Sequence, residues 1–342
     1  MDSLRNARSC HQGSLGMISP TITAAICTRN RPLQLARALD SLLAQSLAPA
    51  EIMVVDNSPS DEATARLVSE RFSGVRYLRE PVPGLDFARN RALREATGDI
   101  VAFLDDDAVA DRDWCRALQR VFESAPDIAV CTGRVEPLIL ASPGQLLFEL
   151  NGGFSRGSRR IRLPDHAAER LHGWPVPLIA WAISVGCGCA YAVRRKVALQ
   201  LGGFDEALDL GGALPGGGDH DLLWRALQSG WRVEYEPDAV AWHEHRQEAE
   251  AAYEQIIGHQ RALLAFLCKQ VSHSSLRGAV PLLVYLSWRL LKPGVRLVRR
   301  GLGHDPLPIA VLLRMWGNCF MGLGAYPRAS RIARTRREQY AS

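Results

Sequence analysis

Three consecutive carboxylates, Asp105, Asp106 and Asp107, follow the apolar run at residues 100–104. This apolar run predicts a buried strand. The three acids are therefore expected at the carboxyl end of the strand, exposed to solvent. Carboxylates held together repel one another, and a bound divalent cation relieves that repulsion. Clustered hard oxygens suit Mg²⁺ or Mn²⁺. These residues alone leave two interpretations open, a metal site and a solvated acidic turn that caps the next helix.

Other polar residues also follow apolar runs. Strands are predicted at residues 22–28, 51–56, 75–78 and 100–104, and helices after Pro32, after Asp61 and over 84–96. This alternation predicts parallel β-α-β units, whose ligands bind at the carboxyl ends of the strands. Thr28 and Arg31 follow the first strand and Asp56 ends the second. We therefore expect these residues and the three acids to share one edge of the sheet.

The middle of the chain is more mixed. Strands are expected at 128–135, 185–193, 233–235 and 239–242, a helix at 194–201, and irregular structure over 136–175. A glycine-rich segment then precedes Asp219, His220 and Asp221, which open a helix that runs to about Ser229. Asp219 either caps that helix or faces the acids across the sheet edge. His243 follows the last strand, beside Trp242.

The C-terminal part changes composition. Helices are predicted at 249–270, 276–300 and 308–323, apolar with basic flanks, and residues 328–337 are strongly basic. No uncharged stretch here reaches the roughly 20 residues of a membrane-spanning helix. Basic amphipathic helices can lie on an anionic membrane surface, so peripheral membrane contact is one interpretation. A helical bundle that caps the preceding domain is the other.

Composition narrows the class of protein. The 342 residues carry a net charge of only +5 and the basic residues are nearly all arginine, so nucleic acid is not an expected partner. The eight cysteines form no CxxC pair, which favours buried free thiols in a reducing cytoplasm. Residues 1–17 show no secretory signal and are expected to be a disordered lead-in. We expect a cytoplasmic location, with the inner face of the cytoplasmic membrane as the peripheral alternative.

Five segments in a fixed order carry a family resemblance. They are Thr28-Arg29-Asn30-Arg31-Pro32, residues 54–58, residues 84–99, Phe103-Leu104-Asp105-Asp106-Asp107, and residues 202–225. Any one of them is a weak signal, but all five at compatible spacing are not expected by chance. Over residues 20–245 the chain resembles the family 2 glycosyltransferases with the GT-A fold.

The resemblance implies an α/β fold of the GT-A (Rossmann-like) type. This is a mixed, mostly parallel sheet flanked by helices, here over residues 18–246, with a helical, basic C-terminal extension over 247–342. It also implies inverting, metal-dependent transfer of a sugar from a nucleotide-diphosphate sugar to an acceptor hydroxyl. The acceptor is expected to be a glycan, a lipid-linked molecule or a small molecule, in cell-envelope or polysaccharide synthesis.

The resemblance also implies residue roles. Asp219 matches the catalytic base, and Asp107 and His243 match ligands of Mn²⁺ or Mg²⁺. The donor-binding residues are expected to be Thr28, Arg31, Asp56, Arg89, Asp105 and Asp106. His220 and Asp221 are expected on the acceptor side. The chain departs from the family at Gly218, where a glutamate is usual, and His220 is the candidate to assist instead.

Two other functions remain open from the residues. A nucleotidyltransferase also combines an α/β sheet with metal-bound acids, but it normally has a lysine-containing phosphate loop near the first strand. Residues 28–31 are not such a loop, and no GxxxxGK[ST] motif is present. The second alternative is a non-catalytic protein that binds membranes or acidic polymers through its basic C-terminal part.

Overall fold

The computed structural model describes residues 19–168 and 177–341, so the predicted lead-in at 1–17 lies outside the described residues. The strands are β1 (Ile22–Thr28), β2 (Glu51–Asn57), β3 (Arg76–Glu80), β4 (Ile100–Leu104), β5 (Ala108–Ala110), β6 (Ile128–Pro137), β7 (Ile161–Leu163), β8 (Ala190–Arg194) and β9 (Arg232–His243). The helices are α1 (Pro32–Leu43), α2 (Ala63–Arg71), α3 (Leu85–Glu95), α4 (Trp114–Ser124), α5 (Pro143–Leu150), α6 (Leu178–Val185), α7 (Arg195–Gln200), α8 (Gly218–Gln228), α9 (Ala249–Ser272), α10 (Leu276–Gly301), α11 (Ile309–Leu323) and α12 (Ala325–Ala341).

All the strands form one mixed sheet in the order β3-β2-β1-β4-β8-β6-β9-β5, with β7 paired to β9. The first four strands are mutually parallel, and β8 runs antiparallel to both β4 and β6. Thr28 pairs with Asp56 across β1 and β2, so these residues sit level at the carboxyl edge. The α/β fold with helices on both faces is as predicted.

The central strands are buried on both faces because alternate residues serve two separate cores. On one face Ile26 and Val54 pack with Leu39 and Trp114 of the flanking helices. On the other face Ala25 packs in a core with residues of α3, α8 and α9. This sandwich explains why β1, β2 and β4 read as continuous apolar runs, and it fixes the strand ends that carry the polar residues.

Several expectations for the middle of the chain were wrong. Residues 136–175 were expected to be irregular, yet they contain α5 and β7. The strand expected at 185–193 starts only at Ala190, as β8, because Val185 ends helix α6 and a loop follows it. The two strands expected at 233–235 and 239–242 are one strand, β9. Its register against β6 shifts between Gly133 and Arg134, and this bulge absorbs the residues between the two predicted runs.

The C-terminal part is helical throughout its described residues, and α12 contains the basic segment at 328–337. Helix α9 packs into the core of the sheet domain, where Leu264 and Phe266 join Leu222 and Tyr235. Among residues 19–168 and 177–341, none of the helices has both the length and the apolar character needed to cross a bilayer. The domain boundary at residue 246 stays a prediction.

Candidate active site

One large cavity, of about 870 Å³, opens at the carboxyl edge of the sheet. Its walls come from the ends of β1 and β4, the start of α8 and one side of α9. The lining includes the acidic strand tip, by which we mean Asp105, Asp106 and Asp107, together with Asp219 and His243. The acidic strand tip therefore faces the same cavity as Asp219 and His243, which lie more than 100 residues later in the sequence.

Neighbouring side chains hold the acidic strand tip in place. Thr28 Oγ1 donates a hydrogen bond of 2.7 Å to Asp106 Oδ2. One Arg31 nitrogen donates to Asp106 Oδ1 at 3.0 Å and to Asp107 Oδ2 at 3.1 Å. Burial, followed by the charge of Asp107, raises the pKa of both Asp105 and Asp106. The three acids are thus crowded and only partly neutralised by Arg31, which is the electrostatic condition that favours a cation.

A metal ion has a chemically suitable set of donors here. Asp107 Oδ1 lies 3.2 Å from His243 Nε2. Ligand atoms of Asp105, Cys189 and His243 all lie within 4.8 Å of one another. Two carboxylates and an imidazole fit Mn²⁺ or Mg²⁺, with the imidazole favouring Mn²⁺. Burial raises the pKa of the Cys189 thiol, which is a neighbour that the sequence did not single out.

A chain of hydrogen bonds orients His243. Its Nδ1 lies 2.9 Å from Nδ1 of His245, and His245 Nε2 lies 2.7 Å from Glu149 Oε1. A carboxylate only accepts, so His245 must donate through Nε2 and accept through Nδ1 when it is neutral. His243 then donates through Nδ1, so Nε2 is the ring nitrogen that faces Asp107 and that a bound ion would contact. This is the tautomer that a metal ligand needs.

Asp219 is the second residue of α8, and its neighbours keep it ionised. His220 Nδ1 lies 2.9 Å from Asp219 Oδ1. Burial alone would raise the pKa of Asp219, but the charge and hydrogen bond of His220, with the charge of Arg89, hold it well below its usual range. A Cβ at Gly188 would lie 3.0 Å from Asp219 Oδ2, so the loop before β8 approaches closely because glycine stands there.

The departure at Gly218 has a structural explanation. A Cβ at this position would lie 1.9 Å from Asp86 Oδ2, so no larger residue fits. Asp86 is fully buried and its Oδ1 accepts a 3.0 Å hydrogen bond from Arg89. Burial, followed by the charge of Asp209, raises the pKa of Asp86 well above its usual value. The carboxyl group next to the start of α8 therefore comes from α3 rather than from residue 218.

Most of the predicted site residues meet in the cavity. Its walls include Thr28, Arg31, Arg89, Asp105, Asp106, Asp107, Asp219, His220 and His243. Asp56 lies at the carboxyl end of β2 but is fully buried, and its Oδ2 accepts a 2.9 Å hydrogen bond from Tyr77. It does not line the cavity, so its contact with a nucleobase stays a prediction.

Asp221, which was expected on the acceptor side, does not line the cavity. Its side chain is fully buried and turns away from the cavity into an ion-pair network. Lys269 and Gln270 of α9 donate to Asp221 Oδ1 at 2.5 and 2.8 Å, and Arg225 donates to Oδ2 at 2.7 Å. Asp219 and Asp221 point to different sides because residues two apart on a helix do not share a face.

Sequence reasoning missed the part of the cavity wall that lies far along the chain. Gln255, His259 and Gln260 of α9 line it. Burial lowers the pKa of His259 to about 4, so its ring is neutral near pH 7. No local pattern marks these residues, because only the packing of α9 on the sheet domain brings them to the cavity.

Comparisons with known proteins agree with this architecture. Residues 23–162 match the family described as glycosyl transferase family 2. A pre-mycofactocin glycosyltransferase of Mycobacterium tuberculosis is 29% identical over 231 residues, which are 66% of this chain and 43% of the relative. A glucosyl-dolichyl phosphate glucuronosyltransferase of Haloferax volcanii is 29% identical over 194 residues, 54% of this chain and 56% of the relative. The chain thus spans about half the length of these curated relatives.

Two solved structures share the fold. A mannosyltransferase from Pyrobaculum calidifontis, solved with GDP-Man and Mn²⁺, has a TM-score of 0.55 and 19% identity. The likeness covers 92% of this chain and 87% of that one. GalNAc-T7, solved with UDP, GalNAc and Mn²⁺, has a TM-score of 0.50 and 16% identity over 74% of this chain and 51% of its own. At these identities the comparison establishes the GT-A fold.

Proposed function

We propose that this chain, whose residues 23–162 match the family described as glycosyl transferase family 2, transfers a sugar from a nucleotide-diphosphate sugar to an acceptor hydroxyl with inversion at the anomeric carbon. One observation carries the proposal. The acidic strand tip and Asp219 line a single cavity of about 870 Å³. Such a transfer needs a cation site that stabilises the anionic leaving group and a base that accepts the proton of the acceptor hydroxyl. The acidic strand tip would supply the first and Asp219 the second, and the cavity between them has room for the two substrates.

The donor half of the cavity would hold the nucleotide diphosphate. Asp105, Asp107 and His243 are the residues that would bind Mn²⁺ or Mg²⁺, and the ion would neutralise the charge that develops on the diphosphate as the glycosidic bond breaks. Arg31 and Thr28 hold Asp106 and Asp107 in position through their hydrogen bonds. Two structural neighbours were solved with Mn²⁺ and a nucleotide or nucleotide sugar, which supports this assignment.

Asp219 is the proposed base on the acceptor side. Its low pKa keeps it ionised, so it can accept the hydroxyl proton as the new glycosidic bond forms. His220 holds the carboxylate through the bond to Oδ1, which leaves Oδ2 directed towards the cavity side where Gly188 approaches. The glycines at positions 186 and 188 keep that wall free of side chains.

Contact with a membrane surface is a further part of this proposal. Helix α10 exposes an apolar stripe along one face, at Leu276, Val280, Val284, Trp288, Leu291, Val295, Val298 and Leu302. Their spacing of three or four residues places them on one side of the helix. The helix contains six basic residues and no acid. An apolar stripe with cations near its two ends, at Arg277, Arg299 and Arg300, fits the interface of an anionic bilayer.

A donor panel tests the proposed activity. Purified protein is incubated with GDP-, UDP- and dTDP-linked sugars, with Mn²⁺ and after chelation, and release of nucleoside diphosphate is measured. We expect metal-dependent release with a restricted set of donors. Absence of release from every donor, in the presence of metal and a cell-envelope extract as acceptor source, would overturn the proposal.

Two variants assign the roles. Asp219→Asn should lower transfer by at least about a thousandfold while donor binding is retained, because the base does not contact the donor. Asp107→Ala should weaken metal-dependent donor binding as well as transfer. Asp40→Asn, an exposed change on α1, is the matched control and should leave both unchanged. Wild-type turnover in Asp219→Asn would show that residue 219 is not the base.

A further inference from the structure

A second, smaller cavity adjoins the first. Its volume is about 220 Å³, and it lies between the loop after α5 and the middle of α10. The two cavities share Asn151, Gly153, Arg156, Gln260 and Arg289. Arg156 and Arg289 therefore border both the cavity that contains Asp219 and the second one.

The second cavity carries unneutralised positive charge. Arg156, Arg289 and Lys292, which we call the basic cluster, all line it. Within residues 19–168 and 177–341 no acid forms an ion pair with any of the three. Arg296 also lines the cavity, but Asp305 neutralises it at 2.7 Å. Arg225, by contrast, is paired with Asp221.

The existing hydrogen bonds do not satisfy the basic cluster. Arg289 donates from one terminal nitrogen to Gln260 Oε1 at 3.0 Å, while its Nε is buried without a hydrogen-bond partner. Arg156 donates only to the main-chain oxygens of Gly153 and Ser155. The charge of Arg289, together with burial and the charge of Arg296, lowers the pKa of Lys292 to about 8. A bound anion would relieve both the repulsion and the missing hydrogen bond.

Helix α10 separates this charge from its apolar stripe. Arg289, Lys292 and Arg296 are spaced by three and four residues, so they share the face that lines the cavity. Leu291 and Val298, which are 60% and 66% exposed, lie on the opposite face. The basic cluster is thus directed towards the cavities rather than being part of a uniformly basic surface.

We propose that the basic cluster binds a phosphate group carried by the acceptor, so that the acceptor's hydroxyl is held towards Asp219. The inference rests on the proposed transferase function and names the class of its acceptor, a phosphorylated molecule. Arginine recognises phosphate through paired hydrogen bonds, and Lys292 at the mouth adds a point charge. The phosphate belongs either to a lipid headgroup or to a soluble sugar phosphate.

Isothermal titration calorimetry of the full chain with inorganic phosphate, in the absence of metal, tests the site. The Arg289→Gln/Lys292→Gln variant should lose at least about tenfold in phosphate affinity, because two charged hydrogen-bond donors are removed. The charge-conserving Arg289→Lys/Lys292→Arg variant should stay within about threefold of wild type. Arg277→Gln, an exposed change on the same helix, should leave the affinity unchanged. Equal affinity in wild type and the double Gln variant would overturn the proposal.

A second measurement separates this proposal from the proposed function. Metal-dependent release of nucleoside diphosphate in water needs no acceptor, so release by the wild-type chain tests the transferase function independently of the phosphate site. If the wild-type chain releases nucleoside diphosphate and the double Gln variant binds phosphate as tightly as the wild type, only the phosphate site is overturned. If the double Gln variant loses phosphate affinity but the wild-type chain releases no nucleoside diphosphate, the phosphate site is supported and the transferase function is overturned.

The source of the phosphate is decided by competition. Geranylgeranyl phosphate in detergent and glucose 6-phosphate are each compared with inorganic phosphate. Tighter binding of the lipid probe by at least about tenfold supports the site and identifies a lipid headgroup. Tighter binding of the sugar phosphate supports the site and identifies a soluble acceptor. Failure of both probes to displace phosphate overturns the proposal.

Discussion

At the scale of single residues, the metal site depends on side chains that do not touch the ion's position. His243 directs its Nε2 towards Asp107 because its Nδ1 donates to His245, and Glu149 accepts in turn from His245. Each of the three groups fixes the proton position of the next. Glu149 belongs to α5, so the geometry of the site also depends on residues 136–175, which were expected to be irregular.

His245→Ala should weaken Mn²⁺ binding by about 10- to 100-fold, the usual loss when the partner of a ligating histidine is removed. The imidazole of His243 would then be free to rotate and to change tautomer. Calorimetric titration with Mn²⁺ measures the effect. His304→Ala, at an exposed histidine, is the control. If the two variants bind Mn²⁺ equally well, the hydrogen-bond chain does not position a ligand.

The pair of Asp219 and His220 predicts a pH effect. The charge of His220 lowers the pKa of Asp219. In His220→Gln the amide replaces the hydrogen bond but not the charge, so the pKa of Asp219 rises. A base works above its own pKa, and the acidic limb of the transfer rate should therefore move to higher pH. The pH profile of kcat/KM measures this, and an unmoved acidic limb would contradict the assigned role of His220.

At the scale of elements, the amino-acid sequence predicts what is local. The apolar runs of β1, β2 and β4 end in polar residues, and parallel pairing then brings Thr28 and Asp106 within hydrogen-bond distance. Cys189 and His259 could not be found in this way. The first follows a short helix that interrupts an uncharged segment, and the second reaches the cavity only through the packing of α9.

Helix α9 is docked by a buried charge that the sequence does not reveal. Lys269 is only 9% exposed, and its ammonium lies 2.5 Å from Asp221 and 2.6 Å from Asp205. Tyr326 of α12 donates to the same Asp205 at 2.7 Å. The network therefore joins α8, which carries Asp219, to two C-terminal helices. Asp221 is a structural residue for this reason.

Lys269→Met should lower the free energy of unfolding by about 3 kcal/mol, because the buried Asp221 and the half-buried Asp205 lose their shared cation. Urea unfolding followed by circular dichroism measures the change. Lys196→Met, at an exposed lysine of α7, should change it by less than about 0.5 kcal/mol. Equal unfolding midpoints for the two variants would show that the network does not hold α9 in place.

At the scale of the whole molecule, the C-terminal helices contribute to the site and also expose an apolar surface. The two interpretations of this region were a cap on the domain and a membrane-surface segment. Helix α9 forms part of the core and of the cavity wall. Helices α10 and α11 cover the domain with one face and expose apolar side chains on another. The composition of the region could not separate these roles, since both require amphipathic helices.

The exposed stripe of α10 predicts binding to anionic vesicles. In Val284→Ser/Leu291→Ser, two side chains that are 64% and 60% exposed lose their apolar surface. Pelleting with phosphatidylglycerol-containing liposomes should weaken by at least about tenfold, since each aliphatic side chain that enters the interface contributes on the order of 1 kcal/mol or more. Leu33→Ser/Leu43→Ser, at exposed leucines of α1, is the matched control and should pellet like wild type. Binding that is lost in high salt but unaffected by the α10 changes would mean that the basic residues act alone and that the stripe does not enter the bilayer.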